Sequence, residues 1–499
     1  MQNKTNQTSA NWVLKGLRIA LVVAQAVTST LLVFSLVNTG IIGGSVLALT
    51  IAALAVLLII NIVELIIHKR ASIAAQIVCV VISVACIVIS CFAMSFAGAF
   101  NGFLDRVTEK KIETKAYNVV VKEVNSYQTL EDLRQKNIGF LSTDTRAGDA
   151  ELTLQNKVTF EASYYDDLSI LLDVLKTNLS DAIVLEADRI NALKEADEEL
   201  LKETKIIYTF EVELGENSVE ISKRAITEEP FIVYISGSDS REGIKATARS
   251  DVNIVAAINP KDAKILLVSI PRDTYVQLHG TTGIKDKLTH AGVYGVEMSK
   301  ATIEDFLGID INYTVKVSFD TVIRVVDELD GIDINSDTAM KLSAINGKTC
   351  NFVVGIQHVD GDCALRFARE RKMYQTGDRH RGENQLEVIT AIINKIASSR
   401  DYILKLPAIL DIAADSFETT LTREEITGFI RSQLQNQPKW QVESIAINGT
   451  GTMLPTYSMG ANLPLYVMIP YESAIDNAKV QIDAYVDKKM KNSEDVENN

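Results

Sequence analysis

Five arginines, Arg366, Arg369, Arg371, Arg379 and Arg381, fall within a stretch of 16 residues. A guanidinium presents a planar fork of N–H donors, grips two phosphate oxygens at once and stays charged at any working pH. In a chain with a formal net charge of −14 such a cluster is a local exception, and it points to a phosphate-bearing ligand. The competing reading is a solvated helix face on which Glu370, Asp378 and Glu383 neutralise part of the group. A second set of charges comes earlier in the chain: Asp239, Arg241, Arg249, Asp251, Arg272 and Asp273. Asp239 and Asp251 offer carboxylate oxygen, the donor that a hard divalent cation such as Mg²⁺ takes together with substrate phosphates. A charge at the end of a strand is ordinary taken singly; six of them gathered at one edge would be a site.

The elements that must gather them are readable. FIVYIS at 231–236 reads as a strand that runs into the polar loop GSDSREG. DVNIVAAIN at 251–259 and KILLVSI at 264–270 are two more strands, joined by the turn NPKD at 259–262. A four-residue turn makes the second and third strands an antiparallel hairpin. With the first strand antiparallel to the second, all six charges share one edge. Apolar periodic stretches at 301–308, 319–329 and Leu386 to Ile396 read as core helices, with the lining of a lipid channel as the alternative. The fold class expected for 229–485 is a mixed sheet flanked by helices, an α/β catalytic domain. From 105 to 228, short apolar runs (IGFL at 138–141, DAIVL at 181–185, IIYTFEVEL at 206–214) alternate with helical ones, of which the clearest spans Asp166 to Leu179. This reads as a small accessory α/β domain, with a polar linker around Gly215 to Pro230. Residues 486–499 form a polar tail.

Residues 1–104 are different material. Three apolar runs, about 17–37, 41–67 and 73–100, are each long enough for the ~20 residues a helix needs to cross a bilayer. They predict three transmembrane helices. Lys4, Lys15 and Arg18 precede the first run and His68, Lys69 and Arg70 fill the second link, which places the N-terminus in the cytoplasm and everything beyond the third helix outside. Arg106, Lys110, Lys111 and Lys115 run against this rule, but large domains translocate regardless of such charges. The first 100 residues carry five basic and one acidic side chain; the other 399 carry 45 basic against 63 acidic, a net of −18. So acidic an exterior lacks the basic face that nucleic-acid binding requires, and its interspersed Val, Ile and Leu argue against disorder. Cys79, Cys86 and Cys91 fall in the third apolar run, where they act as small apolar residues. Cys350 and Cys363 lie in the exterior part and are candidates for a disulfide.

GSDSRE at 237–242, RSDVNIV at 249–255, SIPRDTYV at 269–276, KLTHAGVYG at 287–295, FARERK at 367–372 and GDRHRGENQ at 377–385 resemble, in order and spacing, the motifs of the LytR-CpsA-Psr family of bacterial envelope proteins. The resemblance spans about 229–475. The order of anchor, accessory domain and catalytic domain is similar to that of capsule-type members. It implies a Mg²⁺-dependent phosphotransferase that moves a glycopolymer (teichoic acid, capsular or similar polysaccharide) from a polyprenyl pyrophosphate carrier to peptidoglycan, at the outer face of the bacterial cell membrane. The implied partners are that carrier, the peptidoglycan acceptor and other envelope-assembly enzymes. By the same resemblance Asp239 and Asp251 hold the metal; Arg272, Arg369, Arg371 and Arg381 grip the pyrophosphate; and Arg249, Lys287, Asp378, Gln385 and Arg241 surround the head group. Arg366 and Arg379 sit beside motif positions. Asp273 is a candidate general base, with an orienting ion pair to Arg272 as the alternative. Two other functions use the same features: hydrolysis of polyprenyl pyrophosphates, and a non-enzymatic regulatory role in envelope assembly.

Overall fold

The computed structural model describes residues 2–67, 73–108, 114–196, 198–213, 225–238, 247–343, 347–374, 378–398 and 417–486. Asp239, Arg241, most of the 215–230 linker and the 487–499 tail lie outside them. The chain forms two compact units.

The first unit gathers Met1–Arg106 and Thr422–Pro438. Its helices are α1 (Gln2–Thr39), α2 (Gly44–Ile67) and α3 (Ile73–Thr108). Each is long and apolar enough to cross a membrane. The third helix does not stop at residue 100 as the hydropathy predicts; it runs on to Thr108, since the segment NGFLDRVT has no proline and its single Gly102 costs only about 1 kcal/mol. The packing is inverted relative to a water-soluble bundle. Leu17, Phe34, Leu49, Ile66 and Phe92 point outward, while Gln25, Asn61, Ser83 and Glu64 are buried. The Gln25 Oε1 accepts from Asn61 Nδ2 at 2.8 Å and from Ser83 Oγ at 2.9 Å, and Arg18 pairs with Glu64. Polar groups that find partners only inside the bundle are what a hydrocarbon solvent demands. A fourth helix, α12 (Arg423–Asn436), belongs to this unit. It is opened by a capping box between Thr422 and Glu425, and its Arg423 pairs with Asp105 and Asn101 of α3.

The second unit holds both α/β sheets. The accessory sheet has strand order β3-β2-β4-β1-β5, from β1 (Thr114–Lys122), β2 (Asn137–Leu141), β3 (Glu161–Tyr165), β4 (Ala182–Glu186) and β5 (Thr204–Glu213). Helices α4 (Ala147–Gln155), α5 (Leu168–Lys176) and α6 (Ala187–Ala196) accompany it. The predicted helix 166–179 is shorter at both ends. Asp167 caps it by accepting from Ser169 N at 2.7 Å, and Asn178 leaves it with φ +61°.

The larger sheet has order β16-β11-β6-β7-β8-β17. Its strands are β6 (Phe231–Ser238), β7 (Val252–Asn259), β8 (Lys264–Ser269), β11 (Tyr313–Ser318), β16 (Phe417–Thr419) and β17 (Gln441–Ala446). The strands β6, β7 and β8 are antiparallel, with Gly237 opposite Val252 and Ile254 opposite Ser269. The central strands are almost wholly buried, as continuous apolar runs are when both faces of a sheet are covered. On one face Tyr234, Val255, Ala257 and Val268 pack on Ile303 and Leu307 of α8 (Val296–Leu307) and on Ala478 and Ile482 of α13 (Glu472–Val486). A separate core joins Val326 of α9 (Phe319–Glu328), Ala364 and Phe367 of α10 (Gly361–Ala368) and Val388 of α11 (Asp378–Ser398). It includes the antiparallel pairs β12 (Ile332–Ser336) with β15 (Gly355–Val359) and β13 (Met340–Ser343) with β14 (Thr349–Phe352). The stretches around 301–308, 319–329 and 386–396 therefore supply core helices. Two short strands, β9 (Tyr275–Val276) and β10 (Asp286–Lys287), pair with each other, and α7 (Leu288–Ala291) follows them. A hairpin of β18 (Gly449–Thr456) and β19 (Gly460–Pro470) completes the unit.

Cys350 and Cys363 are bonded, with 5.6 Å between their Cα atoms, and tie β14 to the first turn of α10. Replacing both by serine is expected to cost about 2–4 kcal/mol, measured as a lower urea midpoint. Alkylating the denatured chain before and after reduction should show two extra labels; equal labelling would disprove the bridge.

Candidate active site

The predicted edge exists. The backbone N of Asp251 donates to Gly237 O at 2.9 Å and that of Ile270 to Asn253 O at 2.9 Å, so the end of β6, the approach to β7 and the exit from β8 lie side by side. Beneath them Ser236 and Ser250 share a hydroxyl bond of 2.8 Å, and Tyr234 donates to Asn253 Oδ1 at 2.7 Å. Two close approaches bring further elements in. A Cβ on Gly292 would lie 2.6 Å from Ala248 O and 2.7 Å from Ser250 N, so glycine is what lets the end of α7 rest against the backbone around Arg249. A Cβ on Gly382 would lie 2.7 Å from Ser269 Oγ, so glycine seats the first turn of α11 on the end of β8.

At this edge Arg272 Nη1 donates to Asp251 Oδ1 at 2.7 Å, with Arg272 Nε 3.7 Å from Asp273 Oδ1. Lys287 Nζ sits 3.0 Å from the same Asp273 oxygen. Arg272, Lys287 and Arg381 are only 9%, 5% and 8% exposed, which is unusual for three cations in one neighbourhood. Burial works against the charge on Asp273, but Lys287, Arg272 and Arg381 outweigh it and hold the carboxyl below its ordinary range. Asp273 is thus an ionised, weakly basic anion clamped by cations, the geometry of an orienting pair. Asp251 is the more open carboxylate, with 22% of its side chain exposed.

Arg369 follows α10 and lies over the Phe319 ring at 5.3 Å, and Phe319 in turn approaches Gly237 at the end of β6. The exposed Arg371 is placed through its backbone. Glu370 is buried, and its Oε1 accepts from the backbone N of Arg371 at 3.0 Å, Lys372 at 2.6 Å and Met373 at 3.0 Å. Its other oxygen takes Arg366 Nη2 at 2.6 Å. Arg366 is therefore occupied in structure. Glu370 is thus a loop-folding residue as well as a charge partner of Arg366. The one signal for it was an acid directly before Arg371, in a run otherwise basic. Gln385 is buried in α11, and its neighbour Asn384 donates to Phe367 O at 3.1 Å, fastening α11 to α10. Asp378 opens α11 with its side chain outside the described residues, as is that of Arg379; Asp239 and Arg241 are outside them altogether. Arg249 is half-buried two residues before Asp251.

The arrangement is a sheet edge rich in cations, at which Asp251 is the more accessible of the two described carboxylates. The LytR_cpsA_psr family model matches residues 189–467. This chain belongs to the LytR-CpsA-Psr family. Similar members include the polyisoprenyl-teichoic acid–peptidoglycan teichoic acid transferase TagU of Halalkalibacterium halodurans, 33% identical over 249 residues, which are 49% of this chain and 76% of that one. The TagU of Bacillus mycoides is 36% identical over 230 residues, 45% of this chain and 72% of that one. Among similar solved structures, TagV of Bacillus subtilis overlaps 52% of this chain and 98% of its own, at 28% identity and a TM-score of 0.43. The family match begins at residue 189, inside the accessory segment, and the two sheets share one compact unit.

Proposed function

We propose that this protein transfers a phosphate-linked glycopolymer, teichoic acid or a similar polysaccharide, from a polyprenyl pyrophosphate carrier to a hydroxyl of peptidoglycan. The observation that carries this reading is the edge where Arg272 pairs with Asp251, Lys287 pairs with Asp273 and the charge of Arg381 bears on Asp273, in a chain 33% and 36% identical over 249 and 230 residues to named teichoic acid transferases. The acceptor oxygen forms a bond to the glycan-bearing phosphorus, and the bond to the bridging oxygen breaks. That electron pair leaves with the polyprenyl phosphate. Such a reaction asks the protein chiefly for positioning and charge neutralisation. Arg272 and Arg381 supply it from the sheet side, and Arg369 and Arg371 from the loop that Glu370 folds. Asp273 keeps Arg272 and Lys287 aimed, and the proton of the acceptor hydroxyl ends on the departing polyprenyl phosphate.

Mg²⁺ suits this chemistry. Asp251 offers partly exposed carboxylate oxygen, and with Asp239 it would hold the ion, which would neutralise pyrophosphate charge. The three apolar helices support a multi-pass anchor in the cell membrane, and the placement of Lys and Arg supports a cytoplasmic N-terminus with the site outside, beside a carrier that stays in the bilayer.

The test is product analysis with the full chain in detergent, a polyprenyl pyrophosphate-linked glycan and soluble peptidoglycan. Glycan-phosphate on peptidoglycan together with free polyprenyl phosphate is expected. Polyprenyl phosphate formed equally without the acceptor would replace transfer by hydrolysis. Chelation is expected to abolish transfer and added Mg²⁺ to restore it. Mg²⁺ stimulation retained in Asp251→Ala or Asp239→Ala would overturn the metal assignment.

A further inference from the structure

The accessory sheet and the phosphate site are joined by a buried polar chain. It starts in the accessory domain, where Lys115 of β1 lies between Glu186, with which it pairs, and Asp144 at 3.3 Å. Glu186 also holds Arg189 at 3.1 Å. All four are buried. Burial works against the Glu186 charge, yet Arg189 and Lys115 outweigh it and hold its carboxyl down at about 2. Arg189 then donates to the backbone O of Ser458, in the turn between β18 and β19.

Ser458 N donates to Asp286 Oδ2 at 2.9 Å, and its Oγ lies 2.7 Å from His290 Nδ1. Asp286 Oδ1 accepts from the backbone N of Lys287 at 2.7 Å. Lys287 is the residue whose Nζ clamps Asp273 beside Arg272. Two other links run in parallel. Met459 of the turn and Leu465 of β19 are buried in the accessory core among Leu171, Leu172 and Ile190, while Met468 N of β19 donates to Asp273 O at 2.7 Å. Thr114 O of β1 accepts from Thr247 N at 2.8 Å, two residues before Arg249.

We propose that the accessory domain is a working part of the phosphate site, and that Arg189 is a positioning residue that fixes Lys287 and Asp273 beside Arg272 through the 457–459 turn. Buried ion pairs add little net stability, because desolvation offsets their attraction. Their directional bonds nevertheless admit one seating, and here the seating ends on catalytic-edge residues. This rests on the transfer reaction proposed above.

The test is a mutant cycle between Arg189 and Lys287 in the full chain in detergent. Arg189→Met is combined with Glu186→Gln so that no lone charge is buried. Glycan transfer, affinity for farnesyl pyrophosphate by calorimetry, and thermal midpoint are all read. The Arg189/Glu186 variant should lose transfer on the order of 10- to 100-fold, and in a Lys287→Met background the same change should cost no more. Wild-type transfer in the variant, or losses that multiply with Lys287→Met, would overturn the proposal. If the double variant does not fold, Arg189→Lys keeps the charge beside Glu186 but changes the reach to Ser458, and the same cycle decides. A wild-type chain that binds farnesyl pyrophosphate but transfers no glycan sinks the transfer reading alone, and the cycle is then scored on affinity. A chain that does neither removes both.

Discussion

Arg371→Ala is expected to lower glycan transfer by roughly 10²–10³-fold while leaving the thermal midpoint where it is. Arg371 is exposed, and what folds its loop is the Glu370 carboxylate acting on the backbone N–H groups of residues 371–373. Truncating the side chain removes the proposed phosphate ligand and leaves the backbone bonds that fold the turn. Surface changes of this kind stay within about 0.5 kcal/mol in stability. Arg369→Ala should lose transfer to a similar degree, with a small added cost in stability, about 0.5–1 kcal/mol, from the lost contact with the Phe319 ring. Steady-state transfer beside a thermal melt separates the two effects. Turnover at the wild-type rate in either variant would withdraw these arginines from the site.

Asp273→Ala should do the opposite to the balance and damage the fold as well as the activity. It strips the shared counter-charge from Lys287 and leaves Arg272 with Asp251, and removing one partner of a buried pair costs about 3–5 kcal/mol. The pH dependence carries a sign that can be checked. Because the folded carboxyl is held below its ordinary value, its stabilisation is fully present above the unfolded pKa, about 3.9. It is lost as pH falls through the lower, folded value. Urea unfolding from about pH 6 down to about pH 2 should therefore show the wild-type advantage over Asp273→Ala shrinking below about pH 4. An advantage that stays constant across that range would mean that Asp273 is not ionised in the folded chain.

Much of the molecule was legible in the one-dimensional pattern, for reasons that are local. Runs such as FIVYIS and KILLVSI declare buried strands, the NPKD turn sets an antiparallel hairpin, and the reversal of chain direction then brings Asp251 and Arg272 to one edge. The three apolar helices were equally plain from length and hydropathy. What escaped was every feature that depends on distant partners. The polar seam of Gln25, Asn61 and Ser83 is hidden in sequence, because isolated polar residues in apolar runs do not reveal that they face one another. Glu370 looked like a surface acid, since nothing local says that three backbone N–H groups converge on it.

Residue types and spacing by themselves determined the membrane helices, the order of the strands around the site and the concentration of arginine that argues for a phosphate. The tertiary structure alone decided how those charges pair. It made Asp273 an orienting anion between Lys287 and Arg272, joined Cys350 to Cys363, and ran a buried chain from Lys115 through Arg189 to the site. The physical reason is that the properties of a charge inside a protein are set by the few groups within a few ångströms of it, and in this chain those groups come from segments as far apart as Arg189 and Ser458.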